Sequence, residues 1–181
     1  CEGNGKAEHD PGLTGLALLA FLGAGYTHVE SGVTYDDPVT GQHMNIGNTI
    51  RNGVRWLVRV QDADGCLGRR SAEQMMYSHA VATLALAEAY GLTASPLIKE
   101  PAQKAVNFLI AAKNPYLAWR YAPKCGDNDT SVTGWAVMAL KSAKISGLDI
   151  SESAMEETLA WVEGMTDRNT GRVGYLRAED A

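Results

Sequence analysis

The sequence predicts an all-α protein built as a helical repeat, and three observations carry that prediction. The stretch Asp129-Thr-Ser-Val-Thr-Gly-Trp-Ala-Val-Met-Ala-Leu140 places Val132, Trp135, Ala136, Ala139 and Leu140 at helical spacing. Asp10-Pro-Gly-Leu-Thr-Gly-Leu-Ala-Leu-Leu-Ala-Phe21 repeats it, with Asp10 over Asp129 and Thr14 over Thr133. Met75-Met-Tyr-Ser-His-Ala-Val-Ala-Thr-Leu-Ala-Leu86 repeats it more loosely, with His79 where the other two have threonine. Between these apolar helices run amphipathic ones, so inner and outer helices alternate along the chain.

Taken in order, residues 1–9 are polar and glycine-rich and read as a loop. The first inner helix starts at Asp10, with Pro11 suited to the first helical position, and runs through the apolar stretch Leu13–Leu22. Asp10 and Asp129 are both expected to cap their helices, each carboxylate accepting a free N–H of the first turn. Residues 26–45 carry Gly32, Asp36, Asp37, Pro38 and Gly41 and read as a loop with a short hairpin. The first outer helix spans Ile46 to Gln61, with Ile46, Ile50, Val54, Leu57 and Val58 on one stripe.

Asp62-Ala-Asp-Gly65 turns the chain into the second inner helix, which ends near Tyr90. The second outer helix is expected over Pro101–Lys113 and the third inner helix from Asp129 to Gly147. Ser153-Ala-Met-Glu156 has the pattern of a capping box opening the last outer helix, which runs to Met165. A glycine-bearing tail, Gly171–Tyr175, follows. Trp56, Phe108 and Trp161 recur at corresponding places in the outer helices, about 50 residues apart, and read as packing wedges. Helix pairs of this kind bury their apolar faces only by stacking side by side.

Composition narrows the function classes. The chain has 181 residues, 45% of them hydrophobic, enough for one sizeable core. A formal charge of −5 with no dense Lys/Arg block argues against a nucleic-acid partner, and no apolar run suggests a membrane span. Cys1, Cys66 and Cys125 are too few for a disulfide scaffold. Each lies a few residues upstream of an inner helix, so one rim could hold all three. Loop thiols or one disulfide is the plain expectation, and a metal site the alternative.

Trp56-Leu-Val-Arg-Val-Gln61-Asp-Ala-Asp-Gly65-Cys-Leu67 resembles the glutamine–tryptophan repeat of squalene–hopene cyclases, with Leu67 at the tryptophan position. In the other two copies Lys113 and Thr166 stand at the glutamine position, and Trp119 at the second tryptophan position. Asp129-Thr-Ser-Val132 followed by Trp135-Ala136 resembles the cyclase helix that opens with Asp-x-Asp-Asp-Thr-Ala. The resemblance covers nearly the whole chain and extends to squalene-cyclase-like repeat proteins of bacteria. It implies an α/α toroid, an architecture shared by prenyltransferase β subunits and complement thioester domains. Residues 1–181 then form a single toroid domain, expected to be an arc of about three inner-outer pairs cut from a longer chain or completed by another copy.

The sites of those families transfer poorly. In a cyclase the middle acid of Asp-x-Asp-Asp protonates the substrate, a task that needs a carboxylic acid held neutral. This chain reads Gly126-Asp127-Asn128-Asp129, which puts Asn128 at the donor position. A prenyltransferase zinc site takes Asp, Cys and His. Cys125, Asp127 and His79 supply those types, but the family's Asp-x-Cys order is reversed; Cys66 joins them as a metal candidate only through its place upstream of an inner helix. No thioester sequence and no phosphate-binding glycine loop is present.

The repeat itself predicts a polar rim where inner helices start, formed by Asp10, Thr14, Tyr77, His79, Asp127 and Asp129 with His9 nearby. The catalytic candidates are His79, Asp127 and Asp129, and His79 is singled out by replacing a repeated threonine. His28, His43, Asp36 and Asp37 in the first long loop are a second candidate cation set, with a solvated loop as the plainer expectation. No cofactor is implied. The expected role is a non-catalytic binding module for a small molecule or protein within a larger bacterial protein. A cyclase-type isoprenoid enzyme with an altered acid, and a carbohydrate-active toroid enzyme, are the alternatives. The apolar first helix predicts that its open edge is covered by another copy or by flanking repeats.

Overall fold

The computed structural model describes residues 5–30, 32–115 and 117–180. Among them are six α-helices and one two-stranded antiparallel hairpin. The helices are α1 (Asp10–Gly23), α2 (Ile46–Val60), α3 (Met75–Thr93), α4 (Pro96–Ala112), α5 (Thr130–Ile145) and α6 (Glu152–Gly164). The hairpin, β1 (Thr34–Asp36) with β2 (His43–Asn45), pairs Tyr35 with Met44. None of the described helices is long and apolar enough to cross a membrane.

Helix packing follows a regular order along the chain. α3 lies between α1 and α5, while α2 packs on α1, α4 on α3 and α5, and α6 on α5. The reason is in the side chains. α3 is buried almost all round, and its small residues Ala80, Ala82, Ala85, Ala87 and Ala89 let neighbouring helices come close. Gly15 shows how tight the approach is, because a Cβ there would sit 3.0 Å from the Ala82 Cα. Gly65 combines a φ of +96° with a site where a Cβ would overlap the Lys104 carbonyl, fixing glycine at the turn after α2.

The outer helices bury one stripe each. On α2 this is Ile50, Val54 and Leu57, as the amphipathic pattern requires. Of the three aromatic wedges, Phe108 is buried, and Trp56 and Trp161 are half-buried against the core.

Several helix boundaries differ from the sequence reading. α4 begins at Pro96, not Pro101, so Pro101 lies inside the helix. Pro96 takes a position that needs no backbone donor, whereas Pro101, in the second turn, leaves the Leu97 carbonyl without its intrahelical N–H. Asp10 is the first helical residue of α1 rather than its cap, since a short 3-10 turn (Ala7–His9) feeds the helix directly. Ser153 also lies inside its helix; Ser151 precedes α6 and makes no side-chain cap. α1 is open on one side, where Leu13 and Leu16 are exposed.

Asp129 does cap α5, its Oδ1 accepting the Val132 N–H at 2.8 Å. The loop hairpin is present as expected, and its turn recurs in the tail. Asp37 Oδ1 accepts the N–H groups of Val39 and Thr40, and Asp167 Oδ1 those of Asn169 and Thr170. Both turns read Asp-x-x-Thr-Gly, with the glycine at positive φ closing the reversal.

Candidate functional site

Two features stand out on the side of the inner helices away from the outer ones. The first is a pair of hollows lying end to end along α3. One, of about 260 Å³, is lined by Leu13 and Leu16 of α1, Tyr77 and Val81 of α3, and Trp135 of α5. The other, of about 410 Å³, is lined by Leu19 and Leu22 of α1, Leu84, Glu88 and Leu92 of α3, and Met138 and Lys141 of α5. Helical period explains the continuity: Tyr77, Val81, Leu84, Glu88 and Leu92 fall at intervals of three or four on one face of α3. The trough is mainly apolar; His9, Tyr77 and Ser78 border the first hollow, and in the second the Ser142 hydroxyl donates to Glu88 Oε1 at 2.6 Å beside the exposed Lys141.

The second feature is a polar, aromatic rim at the N-terminal end of α5. Tyr77 donates its hydroxyl hydrogen to Ser131 Oγ at 2.7 Å, and its ring lies 6.0 Å from that of Tyr121. The hydroxyls of Tyr121 and Tyr175 are 2.7 Å apart. That hydrogen bond, with burial second, raises the Tyr175 pKa. Arg120 is paired with Asp127, its guanidinium lies 5.2 Å from the Tyr121 ring centre, and its Nε approaches Asp129 Oδ2 at 3.8 Å. Asp129 is fully buried, and its Oδ2 has no hydrogen-bond partner among the described residues.

The predicted rim is therefore assembled in part. Tyr77, Asp127 and Asp129 gather there, but Asp10 and Thr14 line a separate shallow hollow beside Trp56 on the α2 side of α1. His9 lies at the mouth of the trough.

His79 belongs to neither feature. It is fully buried on the α4 side of α3, where its Nδ1 accepts the Leu67 N–H at 3.0 Å. The ring proton is then on Nε2, which donates to the Ala105 carbonyl of α4 at 3.1 Å. Burial holds its pKa down at about 3, so the ring is neutral and both nitrogens are engaged. As a catalytic or metal-ligating candidate it is corrected to a structural tie between a loop and two helices.

The metal candidates do not converge. Among the described residues no group of three or more His, Cys, Asp or Glu side chains could hold a metal ion. The Cys66 thiol is buried and points to the Gly68 carbonyl at 3.5 Å; burial pushes its pKa up to about 11, away from a ligating thiolate. Cys125 is exposed with its thiol on the Asp127 carbonyl, and both cysteines are free. Cys1 lies outside the described residues.

The loop set is likewise dispersed. His43 Nδ1 pairs with Asp36 at 2.9 Å, whereas Asp37 serves its own turn. The backbone N–H groups of Thr40 and Val39 hold the Asp37 carboxyl below its ordinary pKa. His28 sits apart beside Arg51, with burial and then that cation lowering its pKa.

Sequence reasoning missed Arg120, Tyr121 and Tyr175 at the rim and Leu84, Glu88 and Lys141 in the trough. The loop residues carried no repeat signal. The trough residues did carry one: the register that aligns Thr14, His79 and Thr133 also aligns Leu16 with Val81 and Trp135, and Leu19 with Leu84 and Met138. No protein-family model, curated protein or solved structure matches this chain.

Proposed function

We propose that this chain is an arc of an α/α toroid and a non-catalytic binding module, which holds an elongated apolar small molecule along its inner helices. The side-by-side order α1–α3–α5, with an outer helix behind each, supports the toroid reading. The observation that carries the function is the trough, two hollows in line along α3 walled by Leu16, Val81, Leu84, Trp135 and Met138, with few polar groups. Its size falls in the range of small-molecule sites, whose walls are mostly apolar with a few polar groups fixing orientation.

The cyclase alternative has less support. The donor position, Asn128, is an amide whose Oδ1 accepts from Asn114 Nδ2 and from the Ala118 N–H, both at 3.0 Å. An amide tied into a loop in this way supplies no acidic proton. A carbohydrate ligand, rich in hydroxyls, is a poor match to walls with so few polar groups.

Titration with the apolar fluorophore N-phenyl-1-naphthylamine, displaced by a long-chain isoprenoid alcohol, tests the reading. Saturable binding near one probe per chain is expected. Leu16→Lys and Leu92→Lys, both at exposed positions in the trough, should each weaken it about tenfold, or about 1.4 kcal/mol. Non-saturable uptake, or affinity unchanged from the wild type in both variants, would remove the trough as the site.

A further inference from the structure

The two edges of the arc carry the strongest unexplained surfaces in the molecule. We infer that they are the two halves of one interface, and that the chain associates head to tail, α1 of one copy docking on α5 and α6 of the next. This rests on the arc reading proposed above, but its test is independent of any ligand.

The same interface already exists twice inside the chain. On one side of α3, Gly12 and Gly15 of α1 press against Ser78 and Ala82. On the other, the Ala87 carbonyl and Glu88 of α3 accept from Ser146 and Ser142 of α5. With the inner helices aligned on Thr14, His79 and Thr133, the incoming face is Ser78, Ala82 and Ala85 on α3, and Val132, Ala136 and Ala139 on α5. None of those six is more than 5% exposed. The equivalent face of α1 is Leu13, Ala17 and Ala20. There Leu13 is 58% exposed and both alanines are exposed. Nothing in the described structure covers this face.

The opposite edge lacks the complementary half. Aligned on Trp56, Phe108 and Trp161, Leu159 of α6 corresponds to Val54 of α2 and Val106 of α4. Those valines are 4% and 0% exposed, whereas Leu159 is 49% exposed. Gly134 of α5 corresponds to Gly15 of α1 and Ala80 of α3. Gly15 is glycine because Ala82 lies against it, but a Cβ on Gly134 would meet nothing within 4 Å. By the same register, the residue of a docked copy that would fill the Gly134 notch is Ala17. A small residue with no reason inside the chain and an apolar face with no cover thus match each other.

An interface between unlike edges is heterologous, so association continues until it closes into a ring or extends as a chain. Exposed apolar edges of stacked repeats drive such association, since terminal repeats stay soluble alone only with polar outer faces.

The test uses the full 181-residue chain, followed by light scattering across a concentration series. The wild type should show at least twice the 19.4 kDa chain mass. Leu13→Glu breaks the α1 edge, and Gly134→Leu fills the notch on the α5 edge; both positions are exposed, and circular dichroism checks that the helices remain. Each variant alone should stay at the monomer mass. Mixed one to one, they should form a heterodimer, because each retains the edge that the other has lost. A wild-type monomer at all concentrations would overturn the inference. So would variants that associate like the wild type, which would point to a like-with-like contact, or a mixture that stays monomeric.

Discussion

The loop before α3 and the loop before α5 meet their inner helices through equivalent rungs, built from opposite choices of size. Before α5 the loop contributes the large residue: Trp119 is buried, and its indole N–H donates to the Leu109 carbonyl at 2.8 Å. The helix answers with the small Thr133, whose hydroxyl accepts the Trp119 N–H and donates to the Trp119 carbonyl, both at 3.3 Å. Before α3 the loop contributes Leu67 and the helix contributes the larger His79, which accepts the Leu67 N–H and reaches the Ala105 carbonyl itself. Phe108 packs edge-on against that imidazole, with ring centres 4.7 Å apart. Both rungs capture a loop N–H and tie onto α4. A buried volume and a pair of hydrogen bonds are kept, while their ownership passes from loop to helix.

The comparison can be broken most forcefully at its largest member. Trp119→Ala removes a buried indole and leaves the Leu109 carbonyl without its partner, so a loss of about 3–5 kcal/mol in urea unfolding is expected. A loss below about 1 kcal/mol would mean that the loop does not depend on this side chain.

His79 gives the next effect, and one that Trp119 cannot give. Its folded pKa of about 3 lies below the ordinary histidine value. The unfolded chain therefore takes up a proton between about pH 6.5 and 3 that the folded chain resists. Stability from this group is fully present above about pH 6.5 and falls as pH drops, by about 1.4 kcal/mol per pH unit at most. Unfolding midpoints of the wild type and His79→Thr, compared at pH 7 and pH 5, should show the wild type losing more. Parallel behaviour would show that the imidazole is not held neutral.

The swap itself can be sharpened by a double-mutant cycle. His79→Thr alone should cost about 2–4 kcal/mol, and adding Leu67→Trp should recover at least about 1 kcal/mol of it. Strictly additive costs would show that the two positions do not share one site.

The smallest expected effect is at Asp129, which begins the helix of the Trp119 rung. Asp129→Ala removes an N-cap and should cost about 0.5–2 kcal/mol in chemical unfolding, while Asp129→Asn, which caps as well, should cost less. If Asp129→Asn is the more harmful of the two, the carboxylate's proximity to Arg120 outweighs the cap.

How much of this was legible beforehand differs from residue to residue. Asp129 announced its cap because capping is local, decided by a carboxylate two or three residues from a free N–H. Asp10 carries the same pattern and does not cap, because a preceding turn already supplies the helix entry. His79 was visible as a departure from the repeat, but the departure alone did not say whether the ring serves a site or the packing. A histidine in place of threonine marks a site only if the ring meets solvent, and burial beneath Phe108 and Ala105 is a property of the packed helices. The rim tyrosines were invisible, for Tyr121 and Tyr175 sit in irregular segments where no period exists to expose them.

By itself the sequence determined the alternation of helices, the buried stripes and the small residues between inner helices. Each follows from periodicity within one helix, where neighbours in sequence are neighbours in space. Only the tertiary structure decided which polar groups meet, which histidine is sealed and which apolar faces remain open. Those depend on contacts between residues tens of positions apart, set by how closely α1, α3 and α5 approach. That approach is limited in turn by the alanines and glycines that line their shared faces.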